Sequence, residues 1–402
     1  MGSEPPGLDD RRSSGAWDRV IVLCAANNWD GIKLADQHMA EHVRAHVPVL
    51  YVDPPMSRLT PRNHPELRPA LDGPRLRVVG PGLARLTPVI PPKGRSGALV
   101  PFTDRLLRHQ LRRALLALGS RPSALIVTHP GWPAFGAADE DLAVYWAQDD
   151  FTAGAGLMGL DVRRMERAEL AAARRADIII TSSPAVRDRW AQRGFSSDMI
   201  PFGCDSAAFG HADEPASDVS IPPPVAGFVG QLNARTDLAL LEAVAGVMSL
   251  LIVGPRAPQF EPARVDRMLA RPNVQWVGPQ PFERLPAYLA AVDVGLVPYD
   301  HSEFNVASFP LKTLEYLAAG VPVVATDLPA TRWLGTDLVV IEDAPGRFAA
   351  AARSASRSRR DGVAVDRRQA FARRHDWAAR AEQMTALLAS AARGGAPSRS
   401  MH

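Results

Sequence analysis

The sequence predicts an α/β protein of two Rossmann-like domains, each with a parallel, doubly wound sheet, facing one another across a cleft. Three observations point there. Short apolar runs of strand length alternate with helix-like segments in both halves of the chain. Between the two series stands 211–224, HADEPASDVSIPPP, acidic, then small, then three prolines, which reads as a linker. The length of 402 residues is long for one domain and ample for two.

Residues 1–15 are polar and read as a disordered leader without an apolar signal core. The first domain, 16–210, opens with the buried-type strand Val20–Ala25, a helix near 33–45 and the strand Val47–Val52, which ends in Asp53-Pro54-Pro55. Residues 56–101 are proline-rich and read as irregular. Arg105–Leu118 is a basic amphipathic helix, and Ala124–Thr128, Ala143–Ala147 and Asp177–Thr181 are further strands. After the linker the second domain, 225–365, carries strands at Ala226–Val229, Leu250–Val253, Val274–Val277, Val294–Pro298, Val321–Ala325 and Leu338–Ile341. Helices at 366–393 are expected to pack back across the domain junction, with a disordered tail at 394–402.

Composition excludes several functions. Hydrophobic residues make up 46% of the chain, yet no run of 18 apolar residues exists to span a membrane. The two cysteines, Cys24 and Cys204, read as reduced thiols of a cytoplasmic protein. The net charge of +3 hides an asymmetry, with 9 basic and 15 acidic side chains in 214–352 against 11 and 4 in 353–402. Aromatic residues do not interleave with the basic ones, so nucleic acid is not an expected partner. The helix Arg105–Leu118 can lie peripherally on the inner face of an anionic membrane. Leucines facing a core beneath an Arg-rich solvent face are the commoner explanation.

The segment SFPLKTLEYLAAGVPVVATDL, 308–328, reads as loop, amphipathic helix, glycine turn and buried strand. Lys312 and Glu315 fall one turn apart on one helix face, near its start. A cation there suits a diphosphate and the carboxylate suits sugar hydroxyls, a pairing that suggests a nucleotide-sugar site. Lys312 is one of only three lysines, with Lys33 and Lys93. Upstream, Gly227–Arg235 is a strand running into a glycine loop; Gly230 lets backbone approach a phosphate and Arg235 adds a bidentate donor. In the first domain Asp149 and Asp150 follow the strand AVYWAQ directly. Either is a candidate general base for an acceptor hydroxyl, as is His129, against the plainer readings of a helix cap and a hydrogen-bonding histidine. Asn27, Asn28, Trp29 and Asp30 follow the first strand and form either a sugar-contacting set or a polar turn.

Several segments, in order, resemble one family. They are Ile200-Pro201-Phe202-Gly203-Cys204-Asp205 with Phe209, Asn273-Val274-Gln275-Trp276-Val277-Gly278, Leu285–Asp293 with Leu296-Val297-Pro298-Tyr299, and 308–328. Together they resemble the family 4 (group 1) glycosyltransferases of GT-B fold, across most of 18–390. Phe202 and Cys204 depart from the family's I-P-N-G-V-D-x-x-x-F segment. The resemblance implies a donor site with Glu315, at the distal position of the E-x7-E motif, on the nucleotide's ribose. It adds Gly278, Tyr299 and Ser308 to the donor-side residues. The motif's first Glu falls at Ala307, so the acid usually near the donor sugar is missing. Pro310-Leu311-Lys312 is similar to the P-x-K pattern of bacterial exopolysaccharide and teichuronic-acid-type transferases, where the lysine binds the diphosphate and an Asp of the first domain is the base. That resemblance raises Asp149 above Asp150 and His129. Gln231 stands at the first position of the family's Arg and Lys pair on the glycine loop, which leaves the phosphate to Arg235 and Lys312.

The expected activity is transfer of a sugar from an NDP-sugar (UDP-, GDP- or dTDP-linked) to a hydroxyl of a glycan, lipid-linked or natural-product acceptor. Neither metal nor cofactor is expected, since no Asp-x-Asp motif is poised for a metal. An Asp base and the missing acid favour inversion at the anomeric carbon. Two other classes compete: a GT-B-fold NDP-sugar epimerase and a non-catalytic sugar-nucleotide-binding protein.

Overall fold

A computed structural model describes residues 17–92, 94, 97–156, 159–210 and 214–394. The leader 1–15, residues 395–402 of the tail and 211–213 of the linker lie outside the described residues. Two compact units emerge: 17–182 with 187–200 and 380–394, and 183–186 with 201–379.

The first unit holds β1 (Arg19–Cys24), β2 (Val49–Val52), β3 (Leu76–Gly80), β4 (Leu83–Leu86), β5 (Arg121–Val127), β6 (Ala143–Ala147), β7 (Ile178–Thr181) and β8 (Asp198–Met199). Their order is β3-β4-β2-β1-β5-β6-β7-β8, parallel throughout except for β3 against β4. The second unit holds β9 (Val225–Val229), β10 (Ser249–Val253), β11 (Val274–Trp276), β12 (Val294–Val297), β13 (Val323–Ala325) and β14 (Val339–Ile341). These pair in the order β11-β10-β9-β12-β13-β14, all parallel. In each sheet the winding reverses once, between β1 and β5 and between β9 and β12. Such reversals open a crevice at the C-terminal strand ends, where ligands of these folds gather.

Burial on both faces explains why the strands read as unbroken apolar runs. Along β10, Leu250 and Ile252 enter one core with Phe228, Leu296 and Val324. Leu251 and Val253 enter the other, with Val297, Leu314 and Tyr316. That alternation is the two-residue period of a strand covered on both sides. A Cβ at Gly295 would lie 2.4 Å from the Tyr316 ring, so the absent side chain makes room for the tyrosine. Tyr316 Oη in turn donates to Gly227 O (2.9 Å) and accepts from Val229 N (2.8 Å), fastening its helix beneath β9.

Several expectations change. The region 56–101 is not wholly irregular, because β3 and β4 form an antiparallel pair at the sheet edge. The boundary moves from 210 to 200, since 201–224 packs on the second unit: Cys204 N donates to His375 O and Phe209 lies in that unit's core. Within the expected linker, Ala216 N donates to Ala287 O, so this stretch is also fastened to the second unit. The helix Gly362–Arg373 packs on Leu311–Ala318 as part of that unit, and the division falls inside the last helix, Trp377–Gly394. The helix Val100–Leu118 buries Leu107, Leu111, Leu115 and Leu118, the core-facing stripe that is the commoner explanation of its leucines. Among the described residues no helix is long and apolar enough to cross a membrane.

Candidate active site

In the second unit the donor-side candidates gather at the ends of β9 to β12. Gly230 N donates to Val253 O (2.9 Å) and Gly254 N to Gly278 O (2.8 Å), which stacks three strand-end glycines side by side. Gly254 must lack a side chain: its φ is +137° and a Cβ would approach Gly230 O to 2.1 Å. Sequence reasoning missed it, although it directly follows the run SLLIV.

Arg235 is held on several sides. Its Nε donates to Asn305 Oδ1 (2.8 Å) and its Nη2 to Ser308 Oγ (3.3 Å). Its guanidinium lies 5.2 Å from the Tyr299 ring centroid and 4.6 Å from that of Phe304, which adds cation–π attraction. Asn305, fully buried, also donates to Arg235 O (2.8 Å) and Asp300 Oδ1 (2.6 Å). The structure thus brings Arg235, Tyr299 and Ser308 together, and adds Phe304 and Asn305, which no sequence signal marked.

The helix Leu311–Ala318 follows β12, so its N-terminus stands on the side of the sheet where the strands end. Lys312 Nζ lies 2.6 Å from Glu315 Oε2. The glutamate side chain is 7% exposed and that of the lysine 26%, so an inner carboxylate is capped by an outer ammonium. Ala307 is buried and its carbonyl accepts the Ser183 hydroxyl, leaving a methyl group where the family's first acid would stand.

In the first unit Asp149 is half-buried at the end of β6, next to Gln148. Asp150 has structural work: it caps the helix Phe151–Gly154 by accepting from Ala153 N (2.8 Å) and pairs with Arg189, which also holds the buried Glu169 at 2.7 Å. As a candidate base it is therefore set aside. His129 Nδ1 accepts from Gly131 N (3.0 Å), so the neutral ring carries its proton on Nε2. Its ring meets Phe151 edge-on at 5.3 Å.

The loop after β1 is organised by two buried carboxylates. Asp36 Oδ2 accepts from Ala26 N (2.8 Å), Asn27 N (3.2 Å) and Asn27 Nδ2 (3.1 Å). Asp53 accepts from Trp29 N (2.9 Å) and from Arg85 Nε (2.7 Å), while Arg85 grips Asp30 bidentately at 2.9 and 2.7 Å. Burial pushes the Asp36 and Asp53 carboxyls up, against the pull of these donors. Asn27 and Asp30 are thereby engaged in holding the loop. Trp29 packs edge-on against Tyr51 at 5.0 Å, and Asn28 Oδ1 is buried with no hydrogen-bond partner among the described residues.

A cavity of about 540 Å³ opens at the β1/β5 reversal, between Ala25 at one strand end and His129 at the other. Pro54, Pro55, Leu107, Trp132, Leu160 and Met165 form much of its wall. Among the described residues no group of three His, Cys, Asp or Glu side chains could hold a metal ion. The Asp139-Glu140-Asp141 turn precedes β6, at the sheet end away from the cavity, and its Asp141 pairs with Arg19.

Residues 223–357, which include all of the second sheet, match the family described as Glycosyl transferases group 1. Over 302 residues the chain is 32% identical to TuaH of Bacillus subtilis (strain 168), a teichuronic acid biosynthesis glycosyltransferase by name; the match covers 69% of this chain and 75% of that one. The chain belongs to the group 1 glycosyl transferases. This group 1 glycosyltransferase is similar in fold to sucrose-phosphate synthase from Thermosynechococcus elongatus, at 17% identity and a TM-score of 0.67 over 93% of this chain and 98% of that one. It is likewise similar to Anabaena HepE, solved with UDP and glucose, at 15% identity and a TM-score of 0.62 over 92% and 99%. The α/β, GT-B fold expected from the sequence is the one these structures share. As a group 1 glycosyltransferase it is an enzyme of sugar transfer, and the epimerase and non-catalytic readings are not favoured.

Proposed function

We propose that the second unit binds an NDP-sugar and that Asp149 of the first unit activates the acceptor hydroxyl. The observation that carries this reading is the Lys312–Glu315 pair at 2.6 Å. Glu315 accepts from the ribose hydroxyls. The Lys312 ammonium, with three N–H donors, serves that carboxylate and the diphosphate together, and Arg235 adds a second cation beside the strand-end glycines. As the anomeric C–O bond to the diphosphate breaks, negative charge grows on the leaving nucleotide, and Lys312 stabilises it. Asp149 takes the proton of the attacking hydroxyl, whose oxygen forms the new bond from the opposite face and inverts the configuration. No step of this scheme is assigned to a metal.

HepE, of the same fold, is solved with UDP and glucose, which supports a nucleotide-diphosphate donor. The name of TuaH supports a glycan-type acceptor. A cytoplasmic enzyme touching the inner membrane face through the outward residues Phe102, Arg105, Arg113 and Leu116 fits the exposure of that helix.

Thermal unfolding with UDP, GDP and dTDP tests the donor site, because a ligand that binds only the native state raises its melting temperature. One of the three should raise the melting temperature of the wild type and do so much less in Lys312→Ala. An equal rise in both proteins would remove Lys312 from the site.

A further inference from the structure

The walls of the cavity at the β1/β5 reversal are ill suited to a bare sugar. Pro54, Pro55, Leu107, Trp132 and Met165 are apolar, and the polar groups His129, Asp161 and Arg164 are few. Trp132 has its indole N–H engaged by Ala25 O (2.9 Å), so the ring offers chiefly hydrocarbon surface. Asp161 is engaged as the cap of the helix Val162–Arg175, accepting from Arg164 N (2.7 Å). A volume of about 540 Å³ is within the range of pockets that enclose most of a small organic ligand. His129 connects this space to the proposed base, since its ring packs on Phe151, two residues beyond Asp149.

We infer that the acceptor is an amphiphile: its hydroxyl meets Asp149 while a hydrocarbon part of the same molecule fills this cavity. The inference rests on the reading of Asp149 as the base at an acceptor site. It names what that acceptor must carry beside its sugar or hydroxyl, namely an alkyl or similar apolar chain, and it disfavours wholly polar oligosaccharides.

Calorimetric titration of the full chain with methyl, butyl, hexyl and octyl β-D-glucosides, below the aggregation threshold of the octyl compound, tests this. Affinity should rise about fourfold per added methylene, the ratio equivalent to ~0.8 kcal/mol per buried CH₂. Ala168→Trp, which fills the cavity from its helix wall, should flatten the series. Leu160→Asn, at a position already 41% exposed and therefore tolerant of a polar side chain, should weaken the octyl compound selectively. Val363→Glu, on an exposed valine of the second unit, should leave the series unchanged. A flat series in the wild type, or a slope that survives both cavity variants, would overturn the inference. Titrating UDP, GDP and dTDP into the same samples separates the two readings. Nucleotide binding with a flat alkyl series defeats the cavity assignment alone. A steep, cavity-dependent series without nucleotide binding upholds the cavity and defeats the donor site.

Discussion

Gln148 Nε2 donates to Asp36 Oδ1 at 2.6 Å, and through that bond one fully buried carboxylate fastens the end of β6, where Asp149 follows, to the loop after β1. The other oxygen of Asp36 collects the backbone N–H groups of Ala26 and Asn27. Asp36→Ala leaves these buried donors without an acceptor, at ~1–3 kcal/mol for each one left unsatisfied. Urea unfolding should show a loss of about 3 kcal/mol or more, and transfer activity should fall with it although Asp36 touches no substrate in this account.

Arg85 is 2% exposed between Asp53, which has no exposure, and Asp30, which keeps 26%. Arg85→Ala strands a buried charge on Asp53 and should cost ~3–5 kcal/mol in urea unfolding. Asp30→Asn removes the outer, wetter partner, should cost well under half of that, and should leave the acceptor KM unchanged. A large acceptor KM change in Asp30→Asn at wild-type stability would return Asp30 to the acceptor contacts.

These residues also show where sequence reading stops. The parallel strands were legible because burial on both faces demands unbroken apolar runs, as in VIVLC or SLLIV. β4 was not, because its LARL carries an arginine whose burial makes sense only once Asp53 and Asp30 stand beside it. The Arg85 partner of Asp30 is hidden from the sequence for the same reason, since it lies 55 residues away. Lys312 and Glu315 could be paired from their spacing alone, as both sit on one helix. Asn305 and Phe304 could not, because they act through a residue some 70 positions upstream. The 200/201 boundary is not legible in the sequence because the prolines of 222–224 punctuate the chain more strongly than Cys204, whose backbone N–H is held by His375 O.

Asp218 and Tyr288 give the second unit a dependence on pH. The Tyr288 hydroxyl, 2.6 Å away, is the main cause that holds the Asp218 carboxyl below its usual range. Burial, and then this same bond, pushes the Tyr288 phenol up to about 12. The carboxylate's contribution is present above an unfolded pKa of ~3.9 and is lost as pH falls through the lower folded value. That of the phenol is present below ~10 and is lost as pH rises towards 12. Tyr288→Phe should flatten both limbs of a plot of urea midpoint against pH; limbs unchanged by the substitution would break the assignment.

With Asp149 as the base, the accepting oxygen attacks from the face opposite the leaving nucleotide. Proton NMR of the newly formed glycoside should therefore show an inverted anomeric centre. Asp149→Asn should lose about 100-fold or more in transfer rate while still binding nucleotide. Retention of configuration would eliminate Asp149 from this role.

The most direct test is the steady-state rate of nucleotide diphosphate release by Lys312→Ala compared with the wild type, at matched thermal stability. The account predicts a fall in kcat/KM of about 100-fold or more, the scale seen when a group that stabilises developing charge is removed. A release rate equal to the wild type's would contradict it.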